Sequence, residues 1–162
     1  MRDNRLIAEH RGGLLTKKHH RQIMIWACVC TEHVLPLLSG TLDERLKNAL
    51  LIARDWANGN TTVGEAMKAS VAAHAVAREF TNPTSIAIAR AVGQAVATAH
   101  MADHSIGAAI YALKAIKNAG KSIEAERKWQ NEQLPSEIKG IVLTSRTNKE
   151  KLKQFQSGKG QK

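Results

Sequence analysis

Residues 82–120 constrain the fold of this chain more than any other stretch: NPTSIAIARAVGQAVATAHMADHSIGAAIYALKAIKNAG. Nearly every position is small or apolar, and the few polar side chains, Gln94, His100, Asp103 and His104, sit in the middle. Alanine favours helix because it loses no side-chain entropy and hides no polar group. Small residues also let neighbouring backbones approach closely. The stretch predicts a central buried helix or helix pair. In one version a single helix runs from Pro83 to Asn118. In the other, two helices meet near His100–His104, with Asp103 capping the second. Globular helices average about 11–12 residues, which favours the break.

The rest of the chain reads as helices of ordinary length. Arg2 to Arg11 predicts a short one, ended by Gly12-Gly13. Thr16 caps the next, from about Lys17 to Leu35, with Ile23, Trp26, Ala27, Cys30 and Val34 on one face. Pro36 removes a donor and should end or kink it. Thr41-Leu42-Asp43-Glu44 reads as a capping box for a helix to Asn58, with Gly59 as its left-handed stop. Thr62-Val63-Gly64-Glu65 is a second box, opening a helix to about Phe80. Asn82 and Pro83 supply a cap and a first helical residue. Ser122 caps a helix to about Leu134, Pro135 stops it, and Ile138 to Leu143 predicts a last short helix. From Thr144 the composition turns polar and basic, predicting a disordered tail over 144–162 after a domain of 1–143.

The expected class is therefore all-α: one domain of six to eight helices, packed as antiparallel hairpins around the Ala-rich centre. A chain of 162 residues holds one domain with a real core. Aromatic content is 4%, so that core must be aliphatic and Ala-rich. No apolar run reaches the roughly 20 residues that span a bilayer. Met1–Arg5 is polar with no apolar segment after it, so no signal peptide is visible. Cys28 and Cys30, at i and i+2 on a helix, point to different sides and should not pair. Together these predict a reduced, cytoplasmic protein.

The net charge of +10 invites a nucleic-acid reading, but its distribution argues otherwise. Residues 1–21 carry six Lys/Arg and two Asp/Glu, residues 22–138 eleven of each, and residues 139–162 seven and one. The core is neutral and the ends are basic. The Thr61–Ser70 segment has the flavour of a helix-turn-helix, yet its second helix offers few base-edge readers. Nucleic-acid binding through the basic termini is the least favoured function.

Several polar residues could carry chemistry. His100 and His104 are i, i+4, which on one helix would put both imidazoles on one face, as metal sites use. Asp103 is adjacent, and His74 could join from another helix. The alternative is a buried polar network of hydrogen-bonded imidazoles. Because the Glu of an HExxH motif is absent, no metal or cofactor is assigned; a metal-binding protein or metal-dependent hydrolase built on His74, His100, Asp103 and His104 stands as the second reading. Cys28, Cys30 and His33 lack the second ligand pair that a thiolate zinc site needs. A Cys30–His33 nucleophile lacks an orienting group. Asp55-Trp56 and the segment around Trp129 read as amphipathic packing or as anchors for a protein partner.

Five segments resemble the Imm-five-like family of bacterial immunity proteins. They are Cys30–Pro36 with His33, Ala53–Gly59 with Asp55 and Trp56, and Ala72–Ala75 with His74. The fourth is Gly93-Gln94 through His100, Asp103-His104 and Gly107, and the fifth is Glu126–Gln130 with Trp129. The resemblance covers about Leu6 to Leu143. It implies an all-helical cytoplasmic protein that binds and neutralises a cognate toxin by occlusion, without turnover. It brings no catalytic residues; its recurring polar positions match His33, Asp55, His74, His100, Asp103 and His104. With Trp56, Gln94 and Trp129 these form the expected binding or buried polar set. Inhibitors of nuclease toxins are often acidic, to meet a basic active site. This chain is basic, so its toxin would be of another kind or would be met by another surface. Membrane partners are not expected, and monomer and homodimer are both left open.

Overall fold

The computed structural model describes residues 3–158, with side chains through residue 151. Among these, seven α-helices follow two 3-10 turns: α1 Lys17–Val34, α2 Glu44–Ala57, α3 Val63–Glu79, α4 Pro83–Ala97, α5 His104–Asn118, α6 Ile123–Glu132 and α7 Ser136–Gly158. The all-α class and the hairpin arrangement are as expected. Helices α2 to α5 stack in chain order, α1 crosses α2, α4 and α5, and α6 and α7 cover α5.

Most boundaries follow local chemistry. Thr16 Oγ1 accepts from the His19 amide, Thr62 Oγ1 from Glu65, Asn82 Oδ1 from Ser85 and Ser122 Oγ from Ala125. Gly59 ends α2 at a φ of 79°, a left-handed conformation that glycine adopts without steric cost. A 3-10 turn at Leu35–Leu37 carries Pro36 just past α1.

Four expectations are corrected. The first segment forms 3-10 turns at Asn4–Leu6 and Glu9–Arg11 instead of a helix; Arg2 lies outside the described residues. The cap of α2 is Asp43, not Thr41. Its carboxylate accepts from the Arg45 amide at 2.9 Å and also binds the Arg45 guanidinium, so the helix starts at Glu44. Asp103 holds the N-cap position of α5, but its backbone is already helical and its side chain makes no capping bond. Finally, the last helix does not stop at Leu143. It continues through the basic stretch to residue 158, where disorder was expected, while residues 159–162 lie outside the described residues.

The core is aliphatic and divided by α1. Met24 and Cys28 face one cluster with Leu46, Ala53, Ala73 and Val92. Trp26 and Cys30 face another with Leu15, Ile106, Ile138 and Val142. Both thiols are free and buried, on opposite sides as the spacing predicts. Burial pushes the Cys28 thiol up to about 12 and Cys30 further in the same direction. Neither is a thiolate nucleophile at neutral pH.

The central stretch is two helices. Between them, residues 98–103 turn through tightened hydrogen bonds, with the amides of Thr98, Ala99 and His100 bonding to the carbonyls of Ala95, Val96 and Ala97. Buried His20 of α1 reaches across and takes the Thr98 carbonyl at 2.6 Å.

Candidate functional site

Six of the nine expected residues lie in three places. The first is a half-buried seam over α3, α4 and α5. Arg90 donates through Nη1 to His74 Nδ1 at 2.8 Å. Because the guanidinium is always charged, this bond makes the imidazole neutral, with its proton on Nε2. The His74 ring lies over Gly93, where a Cβ would meet Nε2 at 2.6 Å. The next residue, Gln94, lies over Gly107 of α5, where a Cβ would meet Oε1 at 2.8 Å. Gln94 Oε1 accepts from His104 Nδ1 at 2.7 Å. Two glycines thus create the room in which two polar side chains lie flat between Ala-rich helices. Burial holds the His74 imidazole below its ordinary value, helped by the positive charges of Arg90 and Arg78.

The second place joins α1 and α6. Glu126, almost fully buried, bonds His33 Nδ1 through Oε1 at 2.6 Å. The Trp129 ring stacks on His33 with centroids 3.5 Å apart and planes 13° from parallel. Burying a carboxylate is costly unless it is paired. Here that paired carboxylate fixes a half-exposed aromatic plate. The third place holds Trp56, whose ring sits 4.7 Å from His20.

His100 lies in the turn after α4 and meets Arg11 Nη2 at 3.3 Å. The one-face argument for His100 and His104 is therefore corrected: the chain turns between them, and they share no helix. Among the described residues, no group of three or more His, Cys, Asp or Glu is placed to hold a metal ion. Asp55 is exposed on α2. The Asp103 carbonyl accepts from Lys149 Nζ at 3.0 Å.

Sequence reading missed Arg90, although it is the one charged residue between Pro83 and Asp103 and so the one signal available there. It also missed a buried network around Gln130. The Trp26 indole N–H donates to the Gln130 carbonyl at 2.8 Å. The Gln130 side chain donates to the Ala109 carbonyl and accepts from Arg146 Nη2. Arg146 is 2% exposed and lies in the stretch expected to be disordered.

The neutral imidazoles have a measurable consequence. Burial holds His20 below its ordinary 6.5, as it does His74. A base with a depressed folded-state value binds protons more readily when unfolded. Its contribution to stability is complete above about pH 6.5 and is lost as pH falls toward and through the folded value. Urea unfolding at pH 7.5 and pH 5.5 should give a lower midpoint at pH 5.5, with a smaller difference in His20→Gln. An unchanged difference in that variant would contradict a buried neutral His20.

No helix among the described residues is long and apolar enough to cross a membrane. No curated protein and no solved structure matches the chain. The family model described as "Imm-5 like putative immunity protein" matches residues 13–137, spanning the seam, the plate and the Trp56 wall. By that match over most of its length, the chain belongs to the Imm-5 like immunity protein family.

Proposed function

We propose that this protein binds a cognate bacterial toxin in the cytoplasm and neutralises it by occlusion, without turnover. The observation that carries the reading is how the expected polar and aromatic residues are held. His74, Gln94 and His104 are held by one another, by Arg90 and by glycine-made recesses. Trp129 is held by His33 and Glu126. Side chains locked in place and left half-exposed suit recognition, because little entropy is lost when a partner docks. Aromatic and arginine side chains are also the usual anchors of protein interfaces. A hydrolytic centre would instead need a nucleophile or activated water aligned with a base. His33, Asp55, Trp56, His74, Gln94, His100, Asp103, His104 and Trp129 remain the proposed binding or organising set.

The test is co-expression with toxins encoded in the gene's own neighbourhood. The expected result is growth rescue together with a stoichiometric complex on gel filtration. Trp129→Ala and Arg90→Ala should each weaken that complex by about tenfold or more, as loss of an anchor does. Rescue with a chemically altered toxin and no complex would overturn occlusion and favour an enzymatic mechanism.

A further inference from the structure

The three helices of the histidine seam carry an uneven charge. Their carboxylates are Glu65 and Glu79 of α3; α4 and α5 have none. Both are engaged elsewhere. Glu65 accepts from Lys68 on its own helix, and the Arg45 guanidinium of α2 takes both oxygens of Glu79. The same helices carry Lys68, Arg78, Arg90, Lys114 and Lys117. Two of these cations bear on His74. Arg90 reaches its Nδ1 from α4, and Arg78 stands four residues further along α3, where its charge also disfavours protonation of the ring.

Arg90 is half-buried, yet its side chain makes a single hydrogen bond, to a neutral ring nitrogen. A guanidinium has five N–H donors in a planar fork. Among the described residues, neither Arg90 nor Arg78 forms an ion pair. Taking a cation partly out of water is costly unless a counter-charge meets it, and no carboxylate of the seam does so. The bond to His74 also fixes the fork, so little freedom is lost when an anion docks. We propose that an Asp or Glu side chain of the toxin supplies the missing charge, accepting two parallel N–H bonds from Arg90, with Arg78 as a second cation at the rim. The inference rests on the toxin-binding reading above and adds the chemistry of the partner: an acidic patch centred on one carboxylate. A net charge of +10 favours encounter with such a surface. A nucleic-acid backbone fits less well, because residues 22–138 balance eleven basic against eleven acidic residues and offer no continuous cationic stripe.

The test uses the full chain and the neighbourhood toxin that forms a complex with it, with Kd measured by calorimetry at low and high sodium chloride. Arg90→Gln should raise Kd by about thirtyfold or more, as loss of one partner of a desolvated charge pair does. Arg78→Gln should raise it by about threefold, as at an exposed pair, and both variants should bind with a weaker salt dependence. Arg78 is exposed and makes no side-chain hydrogen bond, so Arg78→Gln reads the charge even where Arg90→Gln alters the seam. Alanine substitution of the toxin's Asp and Glu residues should find one whose loss is coupled to Arg90→Gln by about tenfold or more. Failure of the wild-type chain to bind any neighbourhood toxin would overturn the occlusion reading and this inference with it. A complex that both arginine variants leave unchanged, or one in which no toxin carboxylate is coupled to Arg90, would overturn this inference alone. Single-stranded RNA bound by the wild-type chain and released by Arg78→Gln/Arg90→Gln would make the occupant a phosphate, and would overturn it too.

Discussion

Trp26→Ala is expected to lower the unfolding free energy by about 3–5 kcal/mol, the range for deleting a buried aromatic side chain. Trp26 is the largest fully buried side chain among the described residues and stands at 1% exposure. It packs with Leu15, Ile106, Ile138 and Val142, so its removal opens a cavity where α1, α5 and α7 meet. The indole N–H is also the partner of the Gln130 carbonyl, which would be left buried and unpaired. Trp26→Phe separates the two effects. It keeps most of the apolar volume and loses only the donor, with an expected cost of about 1–3 kcal/mol. Urea unfolding followed by circular dichroism measures both. A loss below about 1 kcal/mol in Trp26→Ala would mean that the cluster is not packed as described.

Truncation after Leu143 is the second large effect. The sequence places a domain boundary there, and the fold places a buried arginine three residues beyond it. Arg146 donates to Asn131 Oδ1 at 3.0 Å and to Gln130 Oε1, and Ser145 donates to Asp3. Removing residues 144–162 strips Gln130 Oε1 of its partner at a position of 0% exposure. It also removes Glu150, the partner of Arg127 on α6. We expect a loss of about 3 kcal/mol, the upper end for an unsatisfied buried polar group. A double-mutant cycle assigns the cause. Gln130→Leu leaves the guanidinium without its acceptor, and Arg146→Met leaves the amide oxygen without its donor. The double variant Gln130→Leu/Arg146→Met should cost less than the sum, because replacing both partners by apolar groups orphans neither. Strict additivity would detach the pair from stability. An unchanged midpoint in the truncated protein would return residues 144–162 to the status of a tail.

The caps of α1, α3, α4 and α6 and the glycine stop of α2 were legible because they are local. A Thr or Asn oxygen finds an amide three residues away whatever the rest of the chain does. The opposite faces of Cys28 and Cys30 follow from helical period alone. The Thr41 cap failed by the same local logic, since Asp43 competes for the same helix start with a charged acceptor and an Arg45 partner.

The candidate sites were legible as residues but not as groupings. His74, Gln94 and His104 could be named from their setting in Ala-rich helices. Their partners could not, because Arg90 lies 16 residues from His74 and Glu126 lies 93 from His33. The His100–His104 pairing failed because it assumed that one helix continued through both.

The amino-acid sequence by itself determined the helical class, the aliphatic core and most helix ends, since propensity, periodicity and capping act over a few residues. The tertiary structure decided where the central stretch breaks and where the last helix stops. No glycine or proline marks Thr98; the turn there accompanies a bond from His20, 78 residues away. Residues 144–151 look like a solvated tail in composition, yet Ser145 and Arg146 are buried against α6 and the first turn. Burial of a polar side chain depends on a distant partner that satisfies it, and that partner is chosen only when the helices pack.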